Sequence, residues 1–195
     1  MDKASDLTQH IVSQLDESAR VQQRTAQVCA GDIGRAAEMI LAAYRGERKV
    51  LLCGNGGSAS DAQHIATELM SKLNRDRAAL PALALTTNTS LLTAVSNDTA
   101  YEQVFVRQIE ALGQPGDVLI AISTSGRSAN VNAAVRAARQ REMQTVALSG
   151  RDGGELAKLA HIAIVIPSDS TQRIQEGHIT VGHILCDIVE ETLFR

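Results

Sequence analysis

The sequence predicts an α/β protein, a three-layer α/β/α sandwich in which a parallel sheet is covered by helices on both faces. Three observations predict it. Five short runs, VLLC (50–53), ALAL (82–85), VLIAI (118–122), TVAL (145–148) and IAIVI (162–166), are apolar throughout rather than alternating, as strands buried on both faces must be. Most of the segments between them carry apolar residues at helical spacing, so strand and helix alternate. At 195 residues the chain has the length of one domain that can bury most of its apolar surface.

The elements follow in order. Leu7, Ile11 and Leu15, then Ile33, Ala37, Ile40, Leu41 and Tyr44, recur at helical spacing. Gly31 and Asp32 interrupt the pattern, which predicts two helices, the second capped by Asp32 and ending at Gly46. The five strands and their helices follow. The connection between the second and third strands is long and contains "SND", making it a candidate for active-site loop duty. The chain closes as a helix from Thr171 to Phe194, with Ile174, Val181, Ile184, Leu185, Ile188 and Val189 on its buried face. The expected organisation is a single domain over 1–195, with N-terminal helices over 1–46 and the α/β core and last helix over 47–195.

Composition narrows the function. Net charge is −3 and aromatic residues make up 2% of the chain, so it lacks both the basic field and the stacking platforms of a nucleic-acid binder. No run approaches the roughly 18–20 apolar residues of a membrane span, and the N-terminus lacks a signal-peptide core, so a cytoplasmic location is expected. Cys29, Cys53 and Cys186 are far apart without CxxC spacing, which argues against disulfides and a thiolate metal cluster.

Ligands of open α/β sheets bind at the carboxyl ends of the strands, where two loops are chemically rich. CGNGGS leaves the first strand and enters a helix, so its backbone N–H groups can approach an anion. ISTSGRS leaves the third and presents Ser123, Thr124, Ser125 and Ser128 at a second helix start. Either loop alone is matched by ordinary turn and cap chemistry; the two together favour a phosphorylated small molecule. A dinucleotide fits less well: Gly54, Gly56 and Ala59 make a loose G-x-G-x-x-A, yet Thr86, Thr87 and Asn88 stand where an acidic residue should follow the second strand. No Walker lysine follows the glycines.

For proton chemistry, His64 and Glu68 share a helix face one turn apart, a spacing equally typical of a solvated surface pair. The last helix carries Gln175, Glu176, His178 and His183. His178 and His183 project to different faces, so at most one serves a given site. Gln175 and His183 are separated by about 12 Å of rise and roughly 80° of rotation, so convergence on one ion requires an irregular helix start or a second subunit. His10 and His161 read as structural or solvated.

The stretches CGNGGSASDAQHIATE, SND, ISTSGRSANV, SGRDGG and RIQEGHITVGHILCDIVE, in this order and at these separations, resemble the phosphoheptose isomerase family of sugar isomerase (SIS) domain proteins. The likeness covers nearly the whole chain and is weakest over the first 45 residues. It implies a flavodoxin-like five-stranded parallel sheet with added N-terminal helices, assembled as a homotetramer with active sites at subunit interfaces. It further implies that Ser123, Thr124, Ser125 and Ser128 hold the sugar phosphate, that Asn55, Gly56, Gly57, Ser58, Asn97 and Asp98 position the sugar, and that His64, Glu68, Gln175 and His183 hold one zinc ion per subunit. The family activity is aldose–ketose isomerisation of sedoheptulose 7-phosphate through an enediol, with Glu68 as base and His183 as acid and with Glu68 and Gln175 also touching substrate. Glutamine is an unusual zinc ligand, and one carboxylate cannot be a tight ligand and a free base at once.

Two positions depart from some family members: Lys72 replaces an arginine four residues after the glutamate, and Gln172 replaces an aspartate three before the glutamine. Two other readings stay open. One is a DnaA-binding initiation regulator of the same fold, which lacks equivalents of Glu68 and His183. The other is an SIS isomerase for a different phosphosugar, such as a hexosamine 6-phosphate.

Overall fold

Along the apolar runs, successive side chains enter two different cores. Val50, Leu52, Val118, Ile120, Ile122, Val146 and Leu148 pack on one side of the sheet, and Leu51, Cys53, Leu119, Ala121 and Ala147 on the other. Two buried faces, each needing its own helical cover, make the three-layer sandwich. The computed structural model describes residues 3–195, with side chains from Asp6 onward. In order, the elements are α1 (Lys3–Arg45), β1 (Val50–Gly54), α2 (Gly57–Met70), β2 (Ala82–Ala84), α3 (Thr89–Asp98), a 3-10 turn (Tyr101–Gln103), α4 (Val106–Leu112), β3 (Val118–Ile122), α5 (Ala129–Gln140), β4 (Gln144–Gly150), α6 (Leu156–Leu159), β5 (Ile162–Ile166) and α7 (Thr171–Leu193).

The five strands are parallel in the order β2-β1-β3-β4-β5, with Val50 beside Val118, Val118 beside Gln144 and Val146 beside Ile162. This is the flavodoxin-like order. It reverses direction between β1 and β3, and the crevice outside their carboxyl ends is the ligand position of such sheets. Helices α1, α2 and α7 contribute Ile33, Ala37, Ile40, Ile65, Leu69, Ile174, Val181 and Leu185 to one core. Helices α4, α5 and α6 contribute Ile109, Val131, Ala134, Val135 and Leu156 to the other.

The N-terminal region differs from expectation: a single 43-residue helix replaces the predicted pair. Asp32 forms an ion pair with Arg35 one turn on rather than capping a new helix. Gly31 and Gly34 have open space where a side chain would be, and they interrupt the apolar pattern without ending the helix. Burial of Cys29, Ile33, Ala36, Ala37 and Ile40 against the sheet carries the helix through them. The end falls where expected, with Gly46 N–H on the carbonyls of Ala42 and Ala43. The long connection after β2 is also ordered, as α3, the 3-10 turn and α4. Among the described residues no helix is long and apolar enough to cross a membrane, and the three cysteines are buried and free.

Candidate active site

The loop after β1 is shaped by close approach. A Cβ on Gly54 would fall 2.6 Å from the Ser58 carbonyl oxygen, and Gly56 has φ 56°, a conformation glycine adopts without strain. The turn closes through Ser58 N–H on the Asn55 carbonyl at 3.0 Å, and Ser58 is buried. No side chain caps the start of α2 at Gly56; the Ser58, Ala59 and Ser60 N–H groups bond instead to the carbonyls of Asn55 and Gly56. The Asn55 amide exchanges two 2.9 Å hydrogen bonds with Asn130 and accepts a third from Tyr101 Oη at 3.0 Å. That amide pair ties the first loop to the helix following the second.

The second loop runs from β3 to α5. Ser123 and Ser128 hydroxyls are 2.9 Å apart, and no side chain caps α5 at Ser128. Gly126 has φ 63° and Gly154 φ 58°, and each backbone occupies the space where the other's side chain would be: a Cβ on Gly126 would meet the Gly153 carbonyl oxygen at 2.0 Å. Arg127 grips Asp152 with both guanidinium nitrogens at 2.9 and 2.6 Å. The Arg127 bond and the Gly154 N–H hold the Asp152 carboxyl down at about 2. The cationic side chain of the serine loop is thus spent on the turn behind it, leaving a neutral cup of hydroxyls and N–H groups. SGRDGG is the brace of that cup, and its proximity to the serine loop was not readable from spacing.

The reacting candidates sit at the far end of α2. Glu68 is eleven residues beyond Gly57, about 16 Å of helix. Helix α7 runs alongside in the same direction, bringing Gln175 to Gly57, Gly182 to Ile65 and His183 to Glu68. His64 Nε2 lies 3.0 Å from His183 Nε2 and 3.0 Å from Glu68 Oε1, and His183 Nε2 lies 3.4 Å from the same oxygen. The two imidazoles are about half exposed, at 52% and 45%, while Glu68 is 12% exposed and its Oε2 is buried without a hydrogen-bond partner. Asp61 Oδ2 is buried and unpartnered too. Burial raises the Asp61 carboxyl, with the two histidines pulling the other way.

These three residues fit a metal ion. Tetrahedral coordination with bonds of about 2.0 Å places ligand atoms about 3.3 Å apart, and the three observed separations bracket that value. A cation would also answer the bare Glu68 oxygen, which is costly to leave unpaired. Among the described residues this is the group of His, Cys, Asp and Glu side chains able to share an ion.

Of the residues expected at the site, Asn55, Gly56, Gly57, Ser58, Ser123, Thr124, Ser125 and Ser128 stand on the loops or helix starts that follow β1 and β3, at the switch point of the sheet. Gln175 joins them there, its amide against Gly57, and lies in regular helix eight residues before His183. One chain therefore groups His64, Glu68 and His183 and sets Gln175 with the loops. Asn97 and Asp98 bond each other at 2.8 Å, exposed at the end of α3. Tyr101, missed in the sequence despite following "SND" closely, makes the direct bond to Asn55. His161 is structural as expected, its Nδ1 accepting from Thr145 N–H at 3.1 Å; of the two α7 histidines left open by the sequence, His178 is the one buried away from the group, on the Ser149 carbonyl at 3.0 Å.

The comparisons with known proteins agree with this geometry. Residues 15–150 match the SIS domain family. The chain is 52% identical to a phosphoheptose isomerase of Roseiflexus sp. (strain RS-1) over the full length of both. Among solved structures it is similar to a phosphoheptose isomerase from Neisseria gonorrhoeae, with 43% identity, a TM-score of 0.89 and 95% and 99% of the two chains covered. It is also similar to one from Francisella tularensis, with 37% identity, a TM-score of 0.91 and 94% and 98% covered. With its fold, crevice and full-length likeness in agreement, the chain belongs to the phosphoheptose isomerases of the SIS domain family.

Proposed function

We propose that the protein is an aldose–ketose isomerase that converts sedoheptulose 7-phosphate to D-glycero-D-manno-heptose 7-phosphate in the cytoplasm, the first step toward nucleotide-activated heptose for lipopolysaccharide or other surface glycans. The observation that carries the reading is the Glu68 carboxylate, held between two histidines with one buried oxygen left free. The relatives named phosphoheptose isomerase, matched over 83–100% of their length, supply the substrate class.

In this reading the phosphate sits in the cup of Ser123, Thr124, Ser125 and Ser128. Asn55, Gly56, Gly57, Ser58, Asn97, Asp98 and Gln175 position the sugar hydroxyls. Glu68 removes a proton from C1 of the ketose, and the carbonyl oxygen at C2 takes a proton from His183, giving the enediol. Return of a proton to C2 and loss of one from O1 complete the exchange without change in formula. A zinc ion held by His64, Glu68 and His183 would supply Lewis-acid polarisation of the carbonyl; Gln175 stands with the loops of its own chain, so a fourth ligand of that type would come from a neighbouring subunit, and Glu68 serves as base only where its bond to the ion is labile.

We further propose a homotetramer with active sites at the interfaces. One chain sets the phosphate cup and Glu68 at opposite ends of α2, and the exposed stripe of Leu7, Ile11 and Leu15 on α1 offers an assembly surface. Sharing between subunits would bring a second chain's residues to each cup.

Incubation with sedoheptulose 7-phosphate or with a hexosamine 6-phosphate, with and without zinc, tests the reading. Aldose formation from the heptulose is expected. Turnover of the hexosamine alone would move the chain to another SIS substrate. No turnover, together with capture of DnaA, would favour the regulator; the presence of both Glu68 and His183 argues against it.

A further inference from the structure

The last carbonyls of a helix have no partner within it. At the end of α2 two of these belong to Glu68 and Leu69, and Arg77, on the irregular stretch leading to β2, meets both. Its Nη2 donates to the Glu68 carbonyl at 2.8 Å and its Nη1 to the Leu69 carbonyl at 3.0 Å. Its Nε donates to Glu190 Oε2 at 2.9 Å. Glu190 in turn accepts the N–H groups of Leu73, Asn74 and Arg75 at 3.0, 2.8 and 2.8 Å. Both side chains are 2% exposed, and the guanidinium lies 5.2 Å from the centre of the Phe194 ring. Burial would raise the Glu190 carboxyl, but the three N–H groups and Arg77 outweigh it and hold it at about 2.

Glu190 stands on α7 seven residues after His183, two helical turns along the same face. The two helices are thus tied twice: Glu68 to His183 by side chains, and the main chain of Glu68 to Glu190 through Arg77. We infer that Arg77, held by Glu190, is a positioning residue that fixes the last turn of α2 and so aims the Glu68 carboxylate at His64 and His183. The inference rests on the proposed role of Glu68 at the reacting centre. It needs the planar guanidinium, since one ammonium cannot reach two carbonyls and a carboxylate in these directions.

The test compares Arg77→Lys and Glu190→Gln with the wild type, each held well below its own Tm. Zinc affinity is read without substrate by competition with a chromophoric chelator, and kcat and KM with sedoheptulose 7-phosphate. Arg77→Lys is expected to weaken zinc binding and lower kcat by about 10–100-fold each, the usual effect of disturbing the groups that orient ligands. KM should stay within about threefold, because the phosphate cup is at the other end of α2. Glu190→Gln should shift both in the same direction by less, since Arg77 keeps its bonds to α2, and it carries the test if Arg77→Lys does not fold. Wild-type zinc affinity and kcat in a folded variant, with only Tm lowered, would overturn the inference. A wild type that binds zinc but does not isomerise would overturn the proposed activity instead, leaving the zinc measurement to decide the role of Arg77.

Discussion

At the scale of single residues, the proposed phosphate cup depends on two glycines whose replacement nothing nearby can absorb. The atoms that a Cβ on Gly126 or Gly154 would strike are backbone, and both residues have positive φ. Gly154→Ala is expected to destabilise the protein by about 1–3 kcal/mol and to raise KM about tenfold, with a much smaller change in kcat. Urea titration and steady-state kinetics check both. The sequence displays these glycines plainly, in STSGRS and SGRDGG, but their mutual contact is a property of neighbouring strands β3 and β4. The same limit applies to the reacting group. His64 and Glu68 can be paired from helical spacing alone, whereas His183, 119 residues from His64, joins them through the parallel packing of α2 and α7. Arg77 carries no motif, and its role is visible only in where its guanidinium ends.

At the scale of elements, the strands were legible almost to the residue because burial on both faces leaves an unbroken apolar run. Helix α1 was not, because a glycine beside an aspartate has the same local signature whether it ends a helix or lies on the exposed face of a long one. Gly31→Ala and Gly34→Ala discriminate. In a continuous helix with open space at both positions, each is expected to stabilise by up to about 1 kcal/mol, whereas a break there would make them neutral or destabilising. Urea midpoints report the difference. Helix α7 adds a pH dependence. Burial lowers His178 to about 4, against the weaker raising effect of its bond to the Ser149 carbonyl. The unfolded chain, with its histidine near 6.5, therefore takes up the proton first. Stability from this group is complete above about pH 6.5 and declines as pH falls toward 4, by an amount on the order of 3 kcal/mol. Urea midpoints measured from pH 7 to 5 should fall in the wild type and fall less in His178→Gln.

At the scale of the whole molecule, one chain presents the proposed phosphate cup and, a helix length away, a carboxylate between two half-exposed histidines. Assembly through α1 is expected to complete the site. Leu15→Asp, at a position 65% exposed in the single chain, should leave the secondary structure unchanged, shift the sedimenting species to smaller size and lower activity in parallel. The central claim is that Glu68 moves the proton. It is tested most directly by incubating wild type and Glu68→Gln with sedoheptulose 7-phosphate in deuterated water and following both aldose formation and deuterium entry at carbon. The wild type should do both. Glu68→Gln should still bind the sugar phosphate yet lose at least about a hundredfold in both rates. Turnover and exchange at wild-type rates in that variant would contradict the account.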